Sequence, residues 1–427
     1  MSLMNWAIEV ATRHPELENA LVNADGEWLD ILLADGRTFR FRPFQMISED
    51  APEQTRESLL NRLISIGISG AKPATFEESI SAPAVRIDGG EASEMTSDED
   101  PFEGSQLTLP IVRAADYFLR THDTAENDSL VYLPLTDFIG VGLARDTPEN
   151  IIPLYFSDLR LDPYSTELGE HFGAAVGELR TLNTNLGKPG VELGMTINAG
   201  ARALMFTAPP SYQSSWFADV ETIQSIAASL NEEFPDTIPL FVPAARGIFA
   251  VVMANDPHLP QFFRSLKRFA GGDGVIYPLP HTIAADGWAE WIPLPDDPSF
   301  VELADLRATF RARIYQNQKT YMQRWSGDHG TIADYEKYQV RRRAVSITRW
   351  LRSYGRGSVP ATADYISFTD DADAAATPVT IRLNIARDVW PEGLQPLEGI
   401  WPPRYEIATF PDAATLAVLN EASDRKF

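Results

Sequence analysis

Cysteine is absent from the 427-residue chain, which excludes disulfides, thiolate nucleophiles and cysteine-ligated zinc or iron–sulfur sites. Histidine is scarce, at six residues, and His14, His122, His258, His281 and His329 are isolated from one another in sequence. No run approaches the ~20 uninterrupted apolar residues a membrane-spanning helix needs. The opening residues have neither a basic stretch nor a continuous apolar segment of the signal-peptide kind, so a soluble, cytoplasmic protein with no membrane association is expected. Positive charge is also in short supply, with 36 Lys and Arg against 60 Asp and Glu and a formal net charge of -24. A field of that sign disfavours nucleic acid and anionic lipid as partners unless a local basic patch overrides it.

Such a patch exists. From Arg307 to Arg356 the chain carries twelve Lys or Arg and only three Asp or Glu, which leaves the remainder at -33. With 44% hydrophobic residues and this length, several domains are expected.

Residues 1–87 read as a small α+β domain. A helix is expected near Asn5–Thr12, followed by three short strand-like runs separated by Asp25-Gly26 and Asp35-Gly36, which predict an antiparallel meander. Leu59, Leu60, Leu63 and Ile64 then recur at helical spacing, in a helix ending near Gly67. Residues 88–106 read as an acidic linker, since Asp88 to Glu103 holds seven acidic residues and no basic one.

Residues 107–295 read as a central α+β domain in which strands and helices alternate. "LVYLPLTDFIGVGLARD" and "PLFVPAARGIFAVVMAND" share a strand, a proline, a short polar connection, a strand and an acidic stop, with Pro134 standing against Pro243 and Ile139 against Ile248. The match is consistent with an internal duplication of a strand-hairpin-helix unit and equally with a chance likeness between two apolar hairpins. Asp256 and Pro257 predict the start of a core-packed helix lined by Leu259, Phe262, Phe263, Leu266 and Phe269.

"LPIVRAADYF", "VPAARGIFAVVMAND" and "RFAGGDGVIYPLP", in that order, resemble the landmarks of the YtpQ-like bacterial family of unknown function. The matching positions are Pro110, Arg113, Val242, Pro243, Phe269, Ala270, Gly271 and Gly272, within the first 295 residues. The resemblance implies a shared fold and no reaction, and the chain departs from the family in its long extension after Pro295.

The motif search yields no catalytic site, metal or cofactor. "GVGLAR", Gly140 to Arg145, breaks the dinucleotide-binding glycine spacing and sits in a strand-like run, and "LGKPG" around Lys188 lacks the first glycine and the hydroxyl of a phosphate-binding loop. Glu167 and His171 could share a metal from one helical face, but no second ligand cluster accompanies them.

Residues 296–427 read as a C-terminal domain, a helical hairpin with a few strands. Ser299 and Glu302 predict a capping box for a helix with Leu303, Leu306, Phe310, Ile314, Tyr321 and Trp325 inside. A second, amphipathic helix is expected beyond Gly330, with Ala333, Val340, Ala344, Ile347 and Leu351 on one side. Arg341, Arg342, Arg349 and Arg352 then fall on the other side, with Tyr338 among them. The resulting expectation is an α+β binding or adaptor protein whose arginine helix docks on its own acidic surface or on an anionic protein partner. The alternatives are an enzyme with a carboxylate and arginine site in the cleft between the central and C-terminal regions, and a structural subunit of a homo-oligomeric assembly.

Overall fold

The computed structural model describes residues 3–17, 20–25, 28–33, 37–41, 43–46, scattered positions between 53 and 73, and 107–423 apart from 123–127, 147–150, 163–164, 183–190, 273 and 286. The chain is α+β and divides into two compact units, one built mainly on Met1–Gly104 and the other on Ser105–Thr196, Ala201–Lys267 and Val275–Phe427. The expected linker, Leu59, Leu63, Gly67 and Lys188 lie outside the described residues.

In the first unit, helix α1 (Leu3–Thr12) packs on a sheet with strand order β1 (Leu21–Asp25), β2 (Trp28–Leu32), β3 (Arg37–Phe41) and β4 (Lys72–Pro73). The first three strands form the expected antiparallel meander. Alternation along β2 turns Leu29 and Ile31 into a core shared with Ala7, Val10, Ala11 and the helical Leu60 and Ile64.

In the second unit, β5 (Thr108–Ala114) leads through α2 (Ala115–Leu119) to β6 (Tyr132–Pro134), β7 (Ile139–Asp146) and β8 (Ile151–Pro153). Helix α3 (Leu168–Leu182) covers β5. After β9 (Leu193–Asn198), the strand β10 (Ala201–Phe206), helix α4 (Val220–Glu233) and strands β11 (Pro239–Ala245) and β12 (Ile248–Met253) follow. The two similar sequence segments have the same topology. Strand order β5-β7-β6 in one sheet matches β10-β12-β11 in the other, all antiparallel. Pro134 pairs in register with Gly140 and Pro243 with Phe249, so the residues matched in sequence are also equivalent in register.

The second sheet is widened by the hairpin of β13 (His281–Ala284) and β14 (Gly287–Glu290). Before it, α5 (Leu259–Ser265) buries Leu259, Phe262 and Phe263 as expected, but starts later than Pro257. Asp256 does not begin the helix. Its carboxylate accepts from the backbone N–H of His258 and of Arg202 instead.

The long helix α6 (Phe300–Met322) buries Leu303, Leu306, Phe310 and Ile314. The expected capping box is not formed. Ser299 makes no side-chain cap, and Glu302 is drawn to Arg264 at 2.7 Å and Lys267 at 3.3 Å. Ion pairs with two cations outcompete one backbone N–H.

The expected second helix is a β-hairpin. Beyond β15 (Thr331–Ile332), β16 (Glu336–Val340) and β17 (Arg343–Leu351) pair antiparallel. β17 lies at the centre of a sheet with order β16-β17-β19-β20, while β15 joins β18 (Gly357–Pro360); the remaining strands are β19 (Tyr365–Thr369), β20 (Val379–Arg382), β21 (Gln395–Pro396) and β22 (Arg404–Ile407). Helices α7 (Leu383–Val389) and α8 (Ala413–Ser423) complete the fold. The apolar sector counted at helical period competes here with a period of two. Ala344, Ser346, Thr348 and Trp350 are buried on one face of β17, whereas Val340 is 51% exposed. β-branched residues and pairing on both edges of β17 favour the strand. Among the described residues no helix is long and apolar enough to cross a membrane.

Candidate functional site

The expected arginine surface is divided by the hairpin. Arg341 and Arg342 form its tip, exposed and, among the described residues, without a side-chain partner. Arg349 bonds locally to Glu336 at 3.2 Å and to the Tyr338 hydroxyl. Tyr338 in turn donates to Glu336. Arg352 pairs with Asp370 at 2.7 Å and lies over Phe410. Arg349, Arg352 and Tyr338 are therefore held by neighbouring strands and loops, not presented together from one helix face.

Gly140 and Gly142 sit in the middle of β7, where a Cβ would fall 2.9 Å from Trp401 and 2.6 Å from the Phe118 ring, so their small size serves ring packing. Glu167 and His171 remain at the start of α3, and among the described residues no group of three His, Asp or Glu is placed to hold a metal. Arg113 lies buried on β5, where it donates to the Val112 carbonyl at 2.7 Å and is held down to about 10 by burial.

Among the described residues, a dense constellation of ionisable groups gathers around Glu290, outside the motifs singled out in the sequence. Glu290, the last residue of β14, is largely buried and accepts from the Tyr277 hydroxyl at 2.9 Å, from Arg311 Nη2 at 2.9 Å and from Arg307 Nε. Burial opposes its charge, but the two guanidinium groups prevail and keep its carboxyl well below the usual range. Arg307 and Arg311 stand one turn apart on α6, and Arg311 also donates to Tyr277 at 2.9 Å and to the Thr362 carbonyl at 3.3 Å. Tyr277 stacks on Phe138, and Arg311 lies 4.9 Å over the same ring. His281 is Glu290's cross-strand register partner. Its Nδ1–H donates to the Leu279 carbonyl at 2.9 Å, and burial lowers its pKa to about 4, so the ring is neutral.

Tyr277, His281, Glu290 and Arg311 form one wall of a cavity of about 520 Å³, within the size range of small-molecule pockets. Phe138, Trp288, Ile292 and Trp401 supply apolar surface, while Thr136 and Asp137 come from the β6–β7 connection. Trp288 stacks flat on Phe217 at 3.9 Å and donates to its carbonyl; Trp401 donates to the Thr136 carbonyl at 2.9 Å. Both indoles are therefore fixed in orientation.

Asp137 differs from the other ionisable residues lining the cavity. Glu290, Arg311, Tyr277 and His281 each have hydrogen-bond partners, whereas among the described residues the Asp137 carboxyl has none. It is exposed by area, yet partial desolvation raises its pKa above the ordinary carboxylate range, Arg311 counteracting and Glu290 reinforcing the shift. The cavity can thus offer a rigid aromatic lining and, among the described residues, a carboxylate with no hydrogen-bond partner. Compared with family models, curated proteins and solved structures, the chain matches none.

Proposed function

We propose that this is a small-molecule-binding protein, and that its site is the cavity bounded by Asp137, Trp288, Glu290, Arg311 and Trp401. The preferred ligand has a flat apolar body and an N–H or O–H group, neutral or singly cationic, that donates to Asp137. The observation carrying this reading is the free Asp137 carboxyl in a wall where every other ionisable group is paired. Glu290 acts as scaffold: its oxygens are already engaged by two arginines and a tyrosine, leaving Asp137 as the carboxylate available for recognition. This reading develops the cleft alternative, since residues 134–138 together with Tyr277, His281, Trp288, Glu290 and Ile292 meet Arg311 and Trp401 of the C-terminal segment there. Kinship with the YtpQ-like family is part of the proposal and rests on motif order.

Isothermal titration with benzylamine, benzamide and benzoate tests it. Benzylamine and benzamide bind and benzoate does not, and Asp137→Asn weakens benzylamine at least tenfold. Equal affinity of the variant, or preference for benzoate, refutes the reading.

A second reading, adaptor binding to an anionic protein partner, is supported by the unpartnered Arg341 and Arg342 at the hairpin tip. Arg341→Gln/Arg342→Gln leaves stability unchanged and abolishes salt-sensitive protein capture if that surface is used.

A further inference from the structure

A second concavity, of about 280 Å³, opens on the C-terminal sheet and shares no lining residue with the first. Three arginines from three elements line it: Arg343 at the start of β17, Arg382 at the end of β20 and Arg387 on α7. Asn384 and Tyr405 add polar groups, and Asp364 is the one carboxylate in the lining.

The fold leaves two of these three cations without a carboxylate partner among the described residues. Among the described residues Arg382 has no side-chain hydrogen bond or ion pair, and Arg343 meets only the Phe300 ring, 4.7 Å away. Arg387 donates to the Tyr405 hydroxyl at 3.1 Å and to its neighbour Asp388 at 3.3 Å. Asp364 is directed into the sheet, where one oxygen accepts from the Ser346 N–H at 2.8 Å and from its hydroxyl at 2.9 Å. In a chain carrying -24 overall, three guanidinium groups line one concave site, and among the described residues only Arg387 has a carboxylate partner, Asp388.

We infer that this pocket is a binding site for the terminal phosphate group of a small molecule. Asp364 and Asp388 offset part of the charge of the three arginines, and Arg343 and Arg382, which have no carboxylate partner among the described residues, leave the site net positive and suited to an anion. Guanidinium forks from different directions suit the three terminal oxygens of a phosphate, while a carboxylate has two oxygens in one plane. Asn384 and the Tyr405 hydroxyl extend the polar surface beyond the phosphate, toward the rest of such a ligand.

The test is isothermal titration of the full chain with inorganic phosphate, pyrophosphate and, as the carboxylate arm, malonate. The expected result is saturable one-to-one binding of pyrophosphate and phosphate, with malonate at least tenfold weaker. Arg382→Gln and, separately, Arg343→Gln weaken pyrophosphate at least tenfold, with thermal midpoints unchanged because both side chains are exposed. Arg341→Gln/Arg342→Gln, on the same hairpin but outside the pocket, leaves binding intact. Three results overturn the inference: malonate equal to phosphate, pocket variants that bind like the parent, or equal losses in the tip variant, which mark diffuse electrostatic attraction.

Discussion

Glu290 and His281 stand opposite one another in the β13–β14 register, one fully charged and the other neutral. Burial keeps His281 neutral, whereas at Glu290 two arginines overcome burial. Arg307 and Arg311 hold Glu290 ionised, and at His281 burial dominates, with the arginines adding to it and the Glu290 charge and the Leu279 carbonyl acting against it.

This pairing sets a pH dependence. Between the folded pKa of about 4 and the ordinary value of 6.5, the unfolded His281 binds a proton that the folded residue does not. Stability therefore rises with pH through that window and falls on acidification, by at most on the order of 3 kcal/mol from this group. Glu290, whose pKa is depressed, contributes stability above the ordinary carboxylate range that is lost as pH falls further. Urea midpoints at pH 7 and pH 5 measure the effect, and identical midpoints contradict it.

Glu290→Gln removes the counter-charge of two arginines that are themselves largely buried. A loss of about 3–5 kcal/mol is expected, since a broken buried pair leaves uncompensated charge. Equilibrium urea unfolding followed by fluorescence reads it; a loss under about 1 kcal/mol shows that the cluster is hydrated.

Gly142→Ala inserts a methyl 2.6 Å from a Phe118 ring carbon and 2.9 Å from the Val131 carbonyl oxygen. Overpacking of this kind costs about 1–3 kcal/mol. A thermal midpoint equal to the parent's disproves the role of this glycine in seating Phe118.

Arg341 adopts a left-handed φ of 57° at the hairpin tip, a conformation that disfavours a side chain by about 1–2 kcal/mol. Arg341→Gly relieves that strain and raises the midpoint of unfolding slightly. A lower midpoint contradicts the turn geometry.

Local patterns were legible where neighbours in sequence decide structure. The meander, the helical Leu60 and Ile64, the apolar face of α6 and the equivalence of Pro134 with Pro243 all follow from short-range spacing. The segment from Ala333 to Leu351 was misread because its apolar residues satisfy both periods, and only pairing of β17 with β19, distant in sequence, decides between them. The cavity was not legible for a related reason. Tyr277, Glu290 and Arg311 are each separated by more than ten residues and come from different elements. A signal was nevertheless present: Arg307, Arg311 and Gln318 interrupt the inward face of α6 at helical spacing, and polar groups there need buried partners.

Ligand recognition by Asp137 is tested most directly by following the indole N–H signals of Trp288 and Trp401 in ¹⁵N–¹H spectra during a benzylamine titration. Both indoles line the cavity with fixed hydrogen bonds, so an occupied site moves both resonances. The predicted result is saturable shifts of these two signals that grow as pH rises through the Asp137 titration and vanish in Asp137→Asn. Shifts that persist in the variant, or a titration that moves neither indole, contradict binding at this carboxylate.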